Sequence, residues 1–156
     1  MPVVEQTAVI KAPMTIVMDA LNEVENIPAW ATVSGAVTNV QGRGSGMTYE
    51  WHYQFNRFSF NGKSEVLEQS RNTLITKTTG DVDSLWTIIL SPAGANSTAI
   101  RVLVEYTPPN GFIELLADIV LEQFSNPQVA CENLSRFKEM VEAKARSTEA
   151  QRVAHA

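Results

Sequence analysis

From Met47 to Val66 the chain alternates with a period of two, and this pattern restricts its fold more than any other stretch. Met47, Tyr49, Trp51, Tyr53 and Phe55 alternate with Thr48, Glu50, His52 and Gln54, and successive side chains on a strand point to opposite faces. A strand with one heavily aromatic face follows. After Asn56-Arg57 the pattern resumes with Phe58 and Phe60. A tight hairpin turn at Asn56-Arg57 sets Phe55 opposite Phe58, Tyr53 opposite Phe60 and Trp51 opposite Gly62. All the rings then share one side of the sheet, and the glycine leaves room beside the indole, which suits a hollow better than a filled core. The other face pairs Glu50 with Lys63 and His52 with Asn61, a solvated pattern.

The rest of the chain supplies more strands and their cover. Val3 to Lys11 reads as an opening strand, followed by a turn at Ala12-Pro13, with Pro13 suited to the first position of a helix. Ile16, Val17, Ala20, Leu21 and Val24 recur at helical spacing, which predicts a short amphipathic helix. Asn26 to Trp30 reads as a second short helical turn or a loop, with Trp30 plugging that corner. Strand signals follow at Val33 to Gln41, Met47 to Phe55, Phe58 to Glu68, Thr73 to Thr79, Val82 to Leu90 and Thr98 to Tyr106. With the first, these make seven. Gly80-Asp81 has the glycine of a type II′ hairpin turn, which predicts Ile75 beside Trp86 and Lys77 beside Ser84. The face bearing Trp86, Ile88 and Leu90 is apolar.

Phe112, Leu115, Leu116, Ile119, Val120 and Phe124 form a wide helical stripe that Ser125-Asn126-Pro127 interrupts, so two helices or one kinked helix are expected. The second segment repeats Ala130, Leu134, Phe137 and Val141 at spacings that let it dock along a sheet. With breaks at Pro108-Pro109 and at Pro127, the stretch between reads as a unit that tilts as a lid. One domain over residues 1–146 and a frayed tail over 147–156 complete the expected organisation.

Composition narrows the function classes. With 44% hydrophobic and 19% charged residues among 156, the chain can bury a real core as one domain. A net charge of -5 and no Lys/Arg stripe argue against nucleic acid as a partner. The single cysteine, Cys131, excludes an internal disulfide, and the N-terminus lacks the pattern of a signal peptide, so cytoplasm is the default compartment. No apolar run is long enough to span a bilayer.

Three segments carry a family resemblance. Val9-Ile-Lys-Ala-Pro13 is similar to a strand-to-helix junction, Val24-Glu-Asn-Ile-Pro-Ala-Trp30 resembles a "D-x-E-N-x-P-x-W" segment, and residues 129–142 resemble an "ALxxxLxRLKxxVE" pattern. In this order they resemble the polyketide cyclase/dehydrase-like members of the helix-grip superfamily, which includes the birch pollen allergen and START lipid-transfer domains. Asn22 or Glu23 replaces the usual aspartate of the second motif. The resemblance implies an α+β helix-grip fold: a seven-stranded curved antiparallel sheet, two short N-terminal helices, and a long, kinked C-terminal helix enclosing a cavity. It also implies an apolar or aromatic ligand such as a lipid, polyketide or quinone. Catalytic residues are not shared across the superfamily, so no role is carried over, and no cofactor is implied.

The aromatic face is either plain core or the wall of that cavity. On the cavity reading, Tyr49, Trp51, Tyr53, Phe58, Phe60 and Ser64 line it from the first hairpin. Trp86, Ile88, Val102 and Tyr106 line it from later strands, and Leu116, Val120 and Phe124 from the cover. Tyr49, Tyr53, Ser64 and Tyr106 offer polar tips to orient a ligand. His52 could serve acid-base chemistry, but it falls on the outward face, where a solvated histidine is the favoured reading. Two distant histidines and one cysteine give no metal-ligand spacing. Gly42-Arg43-Gly44-Ser45-Gly46 precedes a strand and so reads as a connection rather than a phosphate loop. Cys131 reads as a structural or pocket-facing thiol rather than a nucleophile, and Arg43, Arg57 and Arg71 as solvated loop charges. Binding of an apolar small molecule is the leading expectation. An aromatase/cyclase or dehydrase and a protein-binding module, including a homodimer through Phe112 to Phe124, are the alternatives.

Overall fold

A computed structural model describes residues 3–27, 34–55, 58–80, 83–107 and 127–154. It contains strands β1 (Val3–Ile10), β2 (Ser34–Gln41), β3 (Thr48–Phe55), β4 (Phe58–Gln69), β5 (Thr73–Gly80), β6 (Asp83–Gly94) and β7 (Ser97–Thr107). They form one antiparallel sheet in the order β1-β7-β6-β5-β4-β3-β2. After β1 the chain crosses to the far edge of this curved sheet and then meanders back, strand by strand, until β7 pairs with β1. All seven expected strands are present.

The crossing is made by α1 (Met14–Asn22) and a 3-10 turn (Val24–Asn26) that rests against β2. Glu23 leaves helical geometry, the 3-10 turn follows, and Ile27 is again helical, while residues 28–30 of the expected second helical turn lie outside the described residues. Pro13 stands at the helix cap, one residue before the position expected for it. Val17, Met18 and Ala20 turn inward. Thr98 Oγ1, fully buried, donates to the Ala12 carbonyl at 2.7 Å and pins the junction between β1 and α1 to β7.

Helix α2 (Pro127–Ala154) packs on β1 and α1. Phe137 and Val141 are buried with Ile10, Leu90 and Ile100 in the main core. Pro127 opens this helix as expected, since a proline costs nothing where its N–H would be unpaired. No glycine or proline interrupts residues 144–154, and the backbone stays helical to Ala154, past the expected start of the tail. The Lys11 N–H donates to Glu142 Oε2 at 2.9 Å, and Lys144 pairs with Glu23. Trp30, the aromatic stripe from Phe112 to Phe124 and the lid built on it lie outside the described residues.

Registers decide which side chains share a face. The β3–β4 hairpin pairs Trp51 with Gly62, Tyr53 with Phe60, His52 with Asn61 and Glu50 with Lys63, as the alternation predicts. The β5–β6 pairing differs by one residue: Thr76 faces Trp86, Thr78 faces Ser84, and Ile75 faces Thr87. Gly80 is the reason. It is not a turn residue but the last residue of β5, paired with Gly62, at φ +138, with its N–H donating to Asp83 Oδ1 at 3.1 Å. The pair of the ladder nearest the turn is Thr78 with Ser84, one residue out of the expected register. Leu74, Thr76 and Thr78 go inward in place of Ile75 and Lys77.

Candidate functional site: a hydroxyl row across the inner sheet

Met47, Val66, Leu74, Leu90, Ile100 and Ile10 join the helices in the main core. Trp51 is as well buried, at 6% exposure, yet lies outside that core cluster. Its indole lies across Gly62, because a β-carbon there would stand 2.7 Å from Trp51 Cε2 and 2.5 Å from the Thr79 carbonyl oxygen. The space that the Trp51–Gly62 pairing leaves is thus filled by the indole itself, and the expectation of an open gap beside it is corrected.

Beside the indole runs a row of hydroxyls. Tyr49 pairs with Ser64, Ser64 with Thr78, Thr78 with Ser84, and Ser84 with Tyr106, so one line of residues crosses five strands on one face. Ser64, Thr78 and Ser84 are all buried. Ser64 Oγ and Thr78 Oγ1 are 2.6 Å apart, and the Ser64 hydroxyl also hydrogen-bonds the Tyr49 phenol. Trp86 Nε1–H donates to Ser84 Oγ at 3.0 Å. Buried hydroxyls without partners are costly, which explains why Ser64 and Thr78 are paired with each other and Ser84 with the Trp86 indole. Thr76, also buried, stands between this row and Leu74.

Burial raises the pKa of Tyr49 above the usual 10.0, and the Ser64 hydrogen bond only partly offsets that rise. The phenol is therefore a proton-bearing donor at neutral pH. His52 is on the outer face, exposed, with Nδ1 2.7 Å from Asn61 Oδ1 and Nε2 3.1 Å from Thr38 Oγ1. That arrangement holds the ring on the surface, far from an inward role.

Of the expected lining residues, Tyr49, Trp51, Ser64 and Ile88 are buried and Trp86 and Val102 half-buried, all inward. Tyr53, Phe58, Phe60 and Tyr106 occupy matching register positions, but their side chains are not among those described. Leu116, Val120 and Phe124 lie outside the described residues altogether. Sequence reasoning missed Thr76, Thr78 and Ser84. The signal was present: three hydroxyl residues at even positions in strands whose even positions are otherwise apolar. The one-residue error in the β5–β6 register hid two of them.

A family model described as "Polyketide cyclase / dehydrase and lipid transport" matches residues 1–142. The chain belongs to this family. No curated protein sequence matches it. Among solved structures, a protein of Thermus thermophilus superposes with a TM-score of 0.75 at 17% identity, covering 92% of this chain and 99% of that one. The Zhui aromatase/cyclase of a Streptomyces species gives 0.72 at 13% identity, covering 94% and 97%. A START superfamily protein of Mycobacterium smegmatis gives 0.66 at 16% identity, covering 94% and 98%. These likenesses establish the helix-grip fold that the family shares. Among the described residues of this cyclase/dehydrase family member, no helix is long and apolar enough to cross a membrane.

Proposed function

We propose that this family member binds an apolar or aromatic small molecule, of the lipid, polyketide or quinone kind, against the inner face of the sheet beside Trp51 and Trp86. The observation that carries this reading is the hydroxyl row Tyr49–Ser64–Thr78–Ser84, set into the inner face beside Trp51 and Trp86, with Tyr49 at one end joining the packed core. Convergent polar groups in an apolar surround are what orient a ligand, and a sheet held together by core packing alone has no use for them. The family description, which joins cyclases with lipid transport, supports the same class.

The likeness to an aromatase/cyclase favours a second reading, cyclisation of a polyketide-like chain. Such chemistry needs a base near the reacting carbon. The described inner face offers hydroxyls and a phenol that burial keeps protonated, so this surface is suited to folding and holding a chain more than to abstracting protons. Binding is the function it supports best.

Displacement of the neutral dye N-phenyl-1-naphthylamine by a panel of apolar molecules tests the proposal. One saturable site is expected, weakened by Trp51→Ala. With the ring outside the main core, that substitution is expected to cost less than the about 3–5 kcal/mol of a packed core aromatic. Absence of saturable binding across the panel would overturn the reading.

A further inference from the structure

The charge map of the chain bears on which ligands this face can accept. Setting aside Arg57 and Arg152, whose side chains are not described, ten of the twelve lysines and arginines remain, and none of the ten is buried. Lys63, Lys77 and Arg101, on β4, β5 and β7, are exposed at odd positions, opposite to the hydroxyl row. No aspartate or glutamate among the described residues is buried either. In the sequence from Val102 to Ser135 there is no lysine, arginine or histidine at all, whereas Glu105, Glu114, Asp118, Glu122 and Glu132 fall within it. An anion placed on this face meets no buried cation among the described residues to offset the loss of its hydration, and burying an unpaired charge is far more costly than burying a neutral polar group.

The protons of the row point the same way. Tyr49, Ser64 and Thr78 carry one hydroxyl proton each, and the two contacts that join them consume two of the three. One O–H, at one end of the chain, is left to donate. Ser84 Oγ receives the Trp86 indole proton, so its own proton is also free to be given, and among the described residues neither finds a further acceptor. A buried donor without an acceptor is costly, and a ligand oxygen would supply one.

We infer, resting on the binding function proposed above, that the ligand is a neutral molecule carrying a hydrogen-bond acceptor such as a ketone or quinone oxygen, selected by Thr78 and Ser84, and that carboxylate ligands such as fatty-acid anions are rejected. Thr78 and Ser84 are specificity-determining residues in this account. Trp86 acts through Ser84, as a positioning residue that turns its hydroxyl proton toward the ligand.

Three probes of one shape separate the terms: 2-acetylnaphthalene, a neutral ketone, 2-ethylnaphthalene, its hydrocarbon counterpart, and 2-naphthoate, an anion at neutral pH. Calorimetric titration of the full chain at pH 7 is expected to rank the ketone first and the carboxylate last. Thr78→Val, which keeps the side-chain shape, and Ser84→Ala should each weaken the ketone about five- to tenfold, as expected for loss of a hydrogen bond, and leave the hydrocarbon unchanged. Unchanged hydrocarbon binding also shows that the variants are folded. Carboxylate binding as tight as that of the ketone overturns the inference, as does equal weakening of ketone and hydrocarbon. Equal binding of all three probes leaves the binding function standing and removes only the selectivity. Binding of none overturns both.

Discussion

The Trp51 indole occupies the volume that a side chain at Gly62 would need, with the two residues directly paired across β3 and β4. Beyond Gly62, on β5, lies Gly80, where a β-carbon would stand 2.6 Å from the Gly62 Cα. Gly62 thus lets one large ring lie flat on the sheet, and Gly80 lets the backbones of β4 and β5 approach closely. Gly62→Ala should destabilise the protein by about 1–3 kcal/mol, the range for overpacking a close contact. The Thr79 carbonyl blocks the new methyl group as well as the ring, so truncating Trp51 should recover only part of the loss. Urea unfolding of the single and double variants checks this.

The Ser64–Thr78 hydroxyl pair gives a second expectation. Removing one partner leaves the other buried without it, at a cost of about 1–3 kcal/mol. Ser64→Ala and Thr78→Val should therefore each destabilise, whereas the double variant should cost clearly less than the sum. A double-mutant cycle on unfolding free energies reads the coupling directly, and strict additivity would contradict the pairing.

Tyr49 makes stability depend on alkaline pH. Its folded pKa lies above the usual 10.0 because burial disfavours the phenolate. Between pH 10.0 and the folded pKa the unfolded chain has released this proton while the native chain retains it, so stability falls as pH rises through that window. Tyr49→Phe should abolish this component. Ultraviolet titration of phenolate absorbance should show a tyrosine step above pH 10.0 that vanishes in the variant.

Much of this was legible in the alternation of the chain. Seven strands, the β3–β4 register and the docking of Phe137 and Val141 follow from period-two and helical patterns that burial enforces. Two features were not legible, for physical reasons. Glycine serves both in turns and where backbones approach closely, and at Gly80 the close approach to Gly62 prevails, shifting β6 by one residue. Threonine and serine suit either face of a strand, so hydrophobic patterning alone cannot place Thr78 or Ser84 inside. Only the register to Ser64 does so.

The central claim is that the ligand sits on the inner face, on the hydroxyl row. The three tryptophans report on it through their indole N–H signals in a two-dimensional nitrogen–proton spectrum. Titration with 2-acetylnaphthalene should shift the Trp86 signal, whose proton is held by Ser84, together with that of Trp51, and leave the backbone signals of His52, Lys63 and Lys77 on the outer face in place. Shifts confined to those outer-face residues, with both indoles unmoved, would contradict the account.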